Sequence, residues 1–143
     1  MSPFRRDPAF ESGSVRLGDL PLCEVRLQDD ARFGWLILIP RRAGLVEVAD
    51  LSGRERALLL DEAVAAGEAL RGAFAADGRP VDKINIASIG NVTAQLHVHV
   101  VARWRDDPFW PDPVWGRPGR QRRTGEAHQA LSRALVAALG LEV

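Results

Sequence analysis

Residues 95–103 read Gln95-Leu96-His97-Val98-His99-Val100-Val101-Ala102-Arg103. Side chains alternate between the two faces of a β-strand, and the even positions here, Leu96, Val98, Val100 and Ala102, are all apolar. That face must be buried. The odd positions carry Gln95, His97 and His99 before Val101 and Arg103. Three amide or imidazole groups therefore point the same way, spaced about 6.6 Å apart at a strand rise of about 3.3 Å per residue.

Two histidines at i and i+2 on a strand suit metal ligation, acid–base work or attack on a phosphate. A zinc site takes three or four His, Cys or carboxylate ligands. The remaining histidine, His128, falls on a predicted helix without a matching partner. Phosphate chemistry needs less. A neutral imidazole is a nucleophile near neutral pH, and a neighbouring imidazole or amide donates hydrogen bonds to phosphate oxygens as their charge redistributes. The alternative is a set of satisfied polar residues on a partly open sheet face.

Upstream, residues 83–89 alternate, with Ile84 and Ile86 on one face and Asn85 and Ala87 on the other, which predicts a strand. Gly90 and Asn91 mark a turn. Residues 22–28 and 34–39 predict two more strands, joined by a hairpin over 29–33. Leu36-Ile37-Leu38-Ile39 shows no alternation, as in a strand covered on both sides, and Pro40 ends regular pairing. Ser52 with Glu55 forms a capping box, and Leu59, Ala63, Ala66, Leu70 and Phe74 follow at helical spacing. The spacing predicts a helix over 52–76, stopped by Asp77-Gly78-Arg79-Pro80. A second helix is predicted over 126–139, with Ala127, Leu131, Leu135 and Ala138 as its apolar stripe and Gly140 as its stop.

These elements imply an α+β fold: a mainly antiparallel sheet of about five strands, the long helix packed on it, and a C-terminal helix. The 143 residues suit a single domain, 1–143, with an irregular Trp-, Pro- and Arg-rich segment at 103–123. Basic and acidic residues balance at 19 each, so nothing holds the chain globally on nucleic acid or an anionic membrane. Any anion site must be local. Cys23, the one cysteine, cannot form an intramolecular disulfide and reads as a small buried residue in a reducing compartment. The first seven residues lack the apolar stretch of a signal peptide, and the longest apolar run, 35–39, is far short of the roughly 20 residues of a membrane span. The expectation is a soluble, cytoplasmic protein.

The stretch 95–103 resembles the signature of the histidine triad (HIT) superfamily, His-φ-His-φ-His-φ-φ, with φ apolar. The early hairpin ending in Leu36-Ile37-Leu38-Ile39-Pro40, the long helix, the Asn85 strand and the triad strand also occur in the family's order. The chain is most similar to small bacterial members that carry Gln in place of the first histidine and continue into a Trp- and Pro-rich tail, here Asp107-Pro108-Phe109-Trp110-Pro111 to Trp115-Gly116.

The resemblance implies that the middle histidine, His97, attacks the α-phosphorus of a nucleotide derivative, expels the leaving group, and forms a nucleotidyl-histidine that water hydrolyses. It gives His99 a hydrogen bond to the phosphate. Gln95 takes the first histidine's place, where an amide keeps hydrogen-bonding capacity but cannot titrate near neutrality. Asn85 resembles the side chain that contacts the phosphate region in relatives. Asn91 and Thr93 lie in the loop where relatives hold phosphate, although turn chemistry accounts equally for Asn91 after Gly90. Asp29, or Gln28, stands near the position that binds ribose hydroxyls. The family also implies a homodimer, and no metal or other cofactor is required for the nucleophile.

The function expected is therefore hydrolysis of a nucleoside phosphate derivative, a phosphoramidate or a dinucleoside polyphosphate. The alternatives are a nucleotide-binding or sensing module with little turnover, and a nucleotidyltransferase. Residues 117–123 are locally basic and read as a solvated linker, with the distal phosphates of a dinucleotide or an RNA as the alternative contact. Trp104, Trp110 and Trp115 are expected to pin the tail to the body, rather than to stack on a base or cover a dimer surface.

Overall fold

The computed structural model describes residues 3–143. Met1 and Ser2, where the N-terminal reading above begins, lie outside it. Five strands form one antiparallel sheet: β1 (Ser14–Asp19), β2 (Cys23–Gln28), β3 (Gly34–Pro40), β4 (Lys83–Ala87) and β5 (Val98–Arg103), in the order β1-β2-β3-β5-β4. Helix α1 (Gly53–Ala76) links β3 to β4, and α2 (Gly125–Leu139) closes the chain.

The α+β expectation holds, and the strand that had no sequence reading is β1. Its register slips between Arg16 and Gly18, so a bulge breaks the alternation that would have announced it. Gly18 is required there, because a Cβ would stand 2.7 Å from the Glu142 carbonyl oxygen where the C-terminus bridges to Asp19.

The sheet separates two cores. On one side Leu96, Val98, Val100 and Ala102 join Cys23, Val25, Leu27, Leu36 and Leu38 beneath Leu59, Ala63, Ala66 and Leu70 of α1 and Leu135 of α2. On the other, Trp35, Ile37, Ile39 and Val101 pack with Phe10, Phe33 and Val114. This double cover is why residues 36–39 do not alternate.

The predicted ends shift by a few residues, each for a local reason. Leu22 was expected in β2, but its N–H donates to the buried Glu62 of α1 (2.8 Å), as does that of Cys23 (2.9 Å), so the helix captures the turn before the strand. Burial and the neighbouring Glu62 push the Cys23 thiol pKa up, keeping it protonated. Ser52 and Thr124 are the N-caps of the two helices, accepting from the N–H groups of Glu55 and Ala127, and Gly140 ends α2 in the left-handed conformation. β4 ends at Ala87 rather than residue 89, and Ser88 Oγ instead donates to the His97 carbonyl (3.1 Å). β5 begins at Val98 rather than Gln95, because Leu96 N–H donates to Leu45 in the loop after β3 (2.9 Å) and leaves the ladder.

Candidate active site

His97 and His99 project from the sheet face opposite the helices. His99 is cross-strand from Ile37 of β3 and Ala87 of β4. The imidazoles stand 4.9 Å apart, centroid to centroid, at 78°. Both are buried, 6% and 9% exposed, because two segments close over them. The 3₁₀ turn Pro8–Ser12 brings Phe10 edge-on to His97 at 4.8 Å. Trp35 and Trp115 lie 5.7 and 5.6 Å from His99.

His97 Nδ1 is 2.7 Å from the Gln95 carbonyl oxygen. A carbonyl only accepts, so Nδ1 carries the proton, and in the neutral ring the lone pair is on Nε2. His99 is held differently: Trp35 Nε1–H donates to its Nδ1 at 3.0 Å. Burial, and secondarily the neighbouring His97, lower the His99 pKa to about 4, so this ring is neutral at physiological pH.

The Gln95 side chain faces the N-terminal segment. Its Oε1 accepts from the Asp7 N–H (2.7 Å) and its Nε2 donates to the Arg5 carbonyl (2.8 Å). A cavity of about 420 Å³ lined by Pro3, Arg5, Ala43, Gly44 and Gln95 reaches the triad segment from this end.

The remaining predicted residues are dispersed. Asn85 is opposite Val101 on the histidine face, one pair beyond Ala87, with Oδ1 accepting from Arg103 Nη1 (3.1 Å). Asn91 is exposed and Thr93 half-buried in the loop before Gln95. Asp29 lies beyond the end of β2, about 10 Å along the sheet from Arg26, the β2 residue in the His99 row. Its carboxylate accepts from the Arg123 N–H (2.9 Å). Arg123 itself donates to the carbonyls of Gln28 and Phe33, so the basic stretch is anchored at its end rather than wholly solvated.

Trp35, Phe10 and Trp115 touch the histidines without having been singled out as site residues. Trp35 shares the face of Ile37 and Ile39, and only the pairing of β3 with β5 shows that this is the histidine face. Among the described residues no group of three or more His, Cys, Asp or Glu is placed to hold a metal ion. Trp104 and Trp115 pin the tail: Trp104 packs edge-on against Phe74 (4.9 Å) and Trp115 against Trp35 (6.2 Å).

A HIT domain model matches residues 9–106. Solved structures with the same fold include histidine triad proteins of Sinorhizobium meliloti 1021 (38% identity, TM-score 0.87, 95% of this chain and 97% of that one) and Bradyrhizobium japonicum (34%, 0.89, 96% and 99%). A third is the histidine triad protein of Marinobacter aquaeolei VT8 (32%, 0.89, 97% and 98%). No curated protein is significantly similar in sequence. With its fold, its histidine strand and these relatives in agreement, the chain belongs to the histidine triad family.

Proposed function

We propose that this protein is a nucleotide hydrolase acting on a nucleoside phosphoramidate or a dinucleoside polyphosphate through a nucleotidyl-histidine on His97. Membership of the HIT family points to nucleotide-binding or hydrolase activity. The observation that supports the mechanism is the 2.7 Å contact of His97 Nδ1 with the Gln95 carbonyl. It leaves Nε2 as the nucleophilic atom, and it stabilises the positive charge that the ring acquires once Nε2 bonds to phosphorus. In the first step the Nε2–P bond forms as the bond to the leaving amine or phosphate breaks, and the leaving group takes up a proton. In the second, water attacks phosphorus and restores the neutral imidazole, releasing the nucleoside monophosphate. His99 supplies a hydrogen bond to the phosphoryl oxygens, with Asn85, Asn91 and Thr93 as further phosphate contacts and Asp29 as a ribose contact. The test is incubation with a fluorogenic AMP-amidate and a diadenosine polyphosphate, assaying AMP release and an acid-labile AMP adduct. Undiminished turnover by His97→Ala overturns the mechanism.

One observation favours a second reading, nucleotide binding with little turnover: the Gln95 amide is turned to the N-terminal segment, where its oxygen and nitrogen bond to Asp7 and Arg5. Tight nucleotide binding without AMP release or adduct supports that reading.

We also propose that the protein is a homodimer. Supporting this, β4 is paired on one side only among the described residues, and Ile86 on it and Leu60 and Val64 on α1 are 43%, 58% and 50% exposed. A second copy covers such an apolar strip. Light scattering on the purified protein distinguishes dimer from monomer, and Leu60→Asp shifts a dimer toward monomer.

A further inference from the structure

We propose that Trp35 is a positioning residue that locks His99 as a neutral ring with its proton on Nε2, making Nε2–H the donor for substrate phosphate; its catalytic part rests on the hydrolase reading above.

An indole nitrogen donates and has no lone pair to accept with. With Trp35 Nε1 at 3.0 Å, His99 Nδ1 must therefore present its lone pair. In a neutral imidazole the proton is then on Nε2. Protonating Nδ1 would set two N–H groups against each other, so this bond opposes the charged ring, in the same direction as burial does. The groups against His99 are Trp35 and Ile37 from β3, Ala87 from β4, Trp115 from the C-terminal segment and His97 on its own chain segment. Of these only His97 has an ionisable side chain.

The two histidines are thus held in opposite tautomers. His97 meets an acceptor at Nδ1 and offers a lone pair at Nε2, whereas His99 meets a donor at Nδ1 and offers an N–H at Nε2. Two identical side chains on one strand face take unlike roles because one Nδ1 finds a carbonyl and the other an indole. An attacking atom beside a hydrogen-bond donor is a pairing suited to phosphoryl transfer.

The chain contains three histidines, so a ¹⁵N-histidine-labelled sample has three rings to resolve; His128→Gln and His97→Ala assign them. Long-range ¹⁵N–¹H correlation should show the His99 proton on Nε2, with no titration from pH 8 down to about 5. Trp35→Phe keeps an aromatic ring but removes the donor. It should mix the His99 tautomers and raise the midpoint of its titration by about one pH unit, with kcat falling more than KM rises. Trp115→Phe, which removes an indole that makes no bond to His99, should leave the tautomer as it is. A proton on His99 Nδ1 in the wild-type protein overturns the proposal, and that measurement stands even if Trp35→Phe fails to fold. An unchanged tautomer and titration in folded Trp35→Phe also overturns it. If the spectra behave as expected but the wild-type protein releases no AMP and forms no adduct, the lock is supported and the hydrolase reading fails.

Discussion

Gln95 Oε1 accepts a hydrogen bond from the backbone N–H of Asp7 at 2.7 Å, across 88 residues of sequence. With the Nε2 bond to the Arg5 carbonyl, this makes Gln95 a clasp on the N-terminal segment. A primary amide presents donor and acceptor side by side, matching two groups on one stretch of backbone. The two nitrogens of an imidazole point apart and cannot do so. Phe10, carried by the same segment, rests on His97.

Gln95→Ala is therefore expected to free residues 5–12 before it affects the rest of the fold. Loss of two hydrogen bonds costs about 1–3 kcal/mol. Hydrogen exchange by mass spectrometry should show faster exchange confined largely to this segment. Unchanged protection there would mean that the clasp contributes nothing to holding it.

On the proposed mechanism, His97→Ala is expected to lower the release of AMP from an AMP-amidate by about 10³-fold or more and to abolish the covalent adduct, since alanine has no lone pair to attack with. Denaturant unfolding should change much less, which separates loss of the nucleophile from loss of the fold.

The pH dependence of stability follows from His99. Its pKa falls from the ordinary 6.5 to about 4 on folding, through burial first and His97 second. Between those values the unfolded chain binds the proton and the folded one does not, so stability is full above about pH 6.5 and declines as pH falls toward 4. The loss is on the order of 2–3 kcal/mol. Urea midpoints measured at pH 7 and pH 4.5 should differ accordingly, and His99→Asn should remove this component.

Asp107→Ala is expected to be the most damaging of these substitutions. The buried Asp107 accepts from Arg103 Nε and Nη2 (2.8 and 3.0 Å) and from the N–H groups of Trp104, Phe109 and Trp110. Burial alone would raise its pKa, but the bonds from Arg103, Phe109 and Trp104 outweigh it and hold the carboxyl below its ordinary range. Removing it strands a fully buried guanidinium, a cost of about 3–5 kcal/mol. Thermal unfolding should report the loss, and Trp115, carried by the same tail, should detach from His99, visible as a change in tryptophan fluorescence.

The alternation of residues 96–103 was enough to place both histidines on one face, and the 3.6-residue spacing of Leu59, Ala63, Ala66 and Leu70 was enough for α1. Such periods follow from the geometry of the local backbone, so the residues themselves carry them. β1 escaped because a bulge interrupts its period. Asp29 and Asn85 were named by position, but their partners, the Arg123 backbone and the Arg103 side chain, come from distant parts of the chain.

What the sequence by itself determined is that His97 and His99 share one face of their strand, and the order of β2, β3, α1, β4, β5 and α2 around them. What only the tertiary structure decided is what each histidine meets. Trp35 reaches His99 across 64 residues and Gln95 reaches Arg5 across 90. Those meetings depend on strand order, register and the course of both chain ends over the sheet. A hydrogen bond is a relation between two groups in space, and the identity of either one does not specify the other. The alternation puts two equal imidazoles on the face; the carbonyl beside one and the indole beside the other make them unequal.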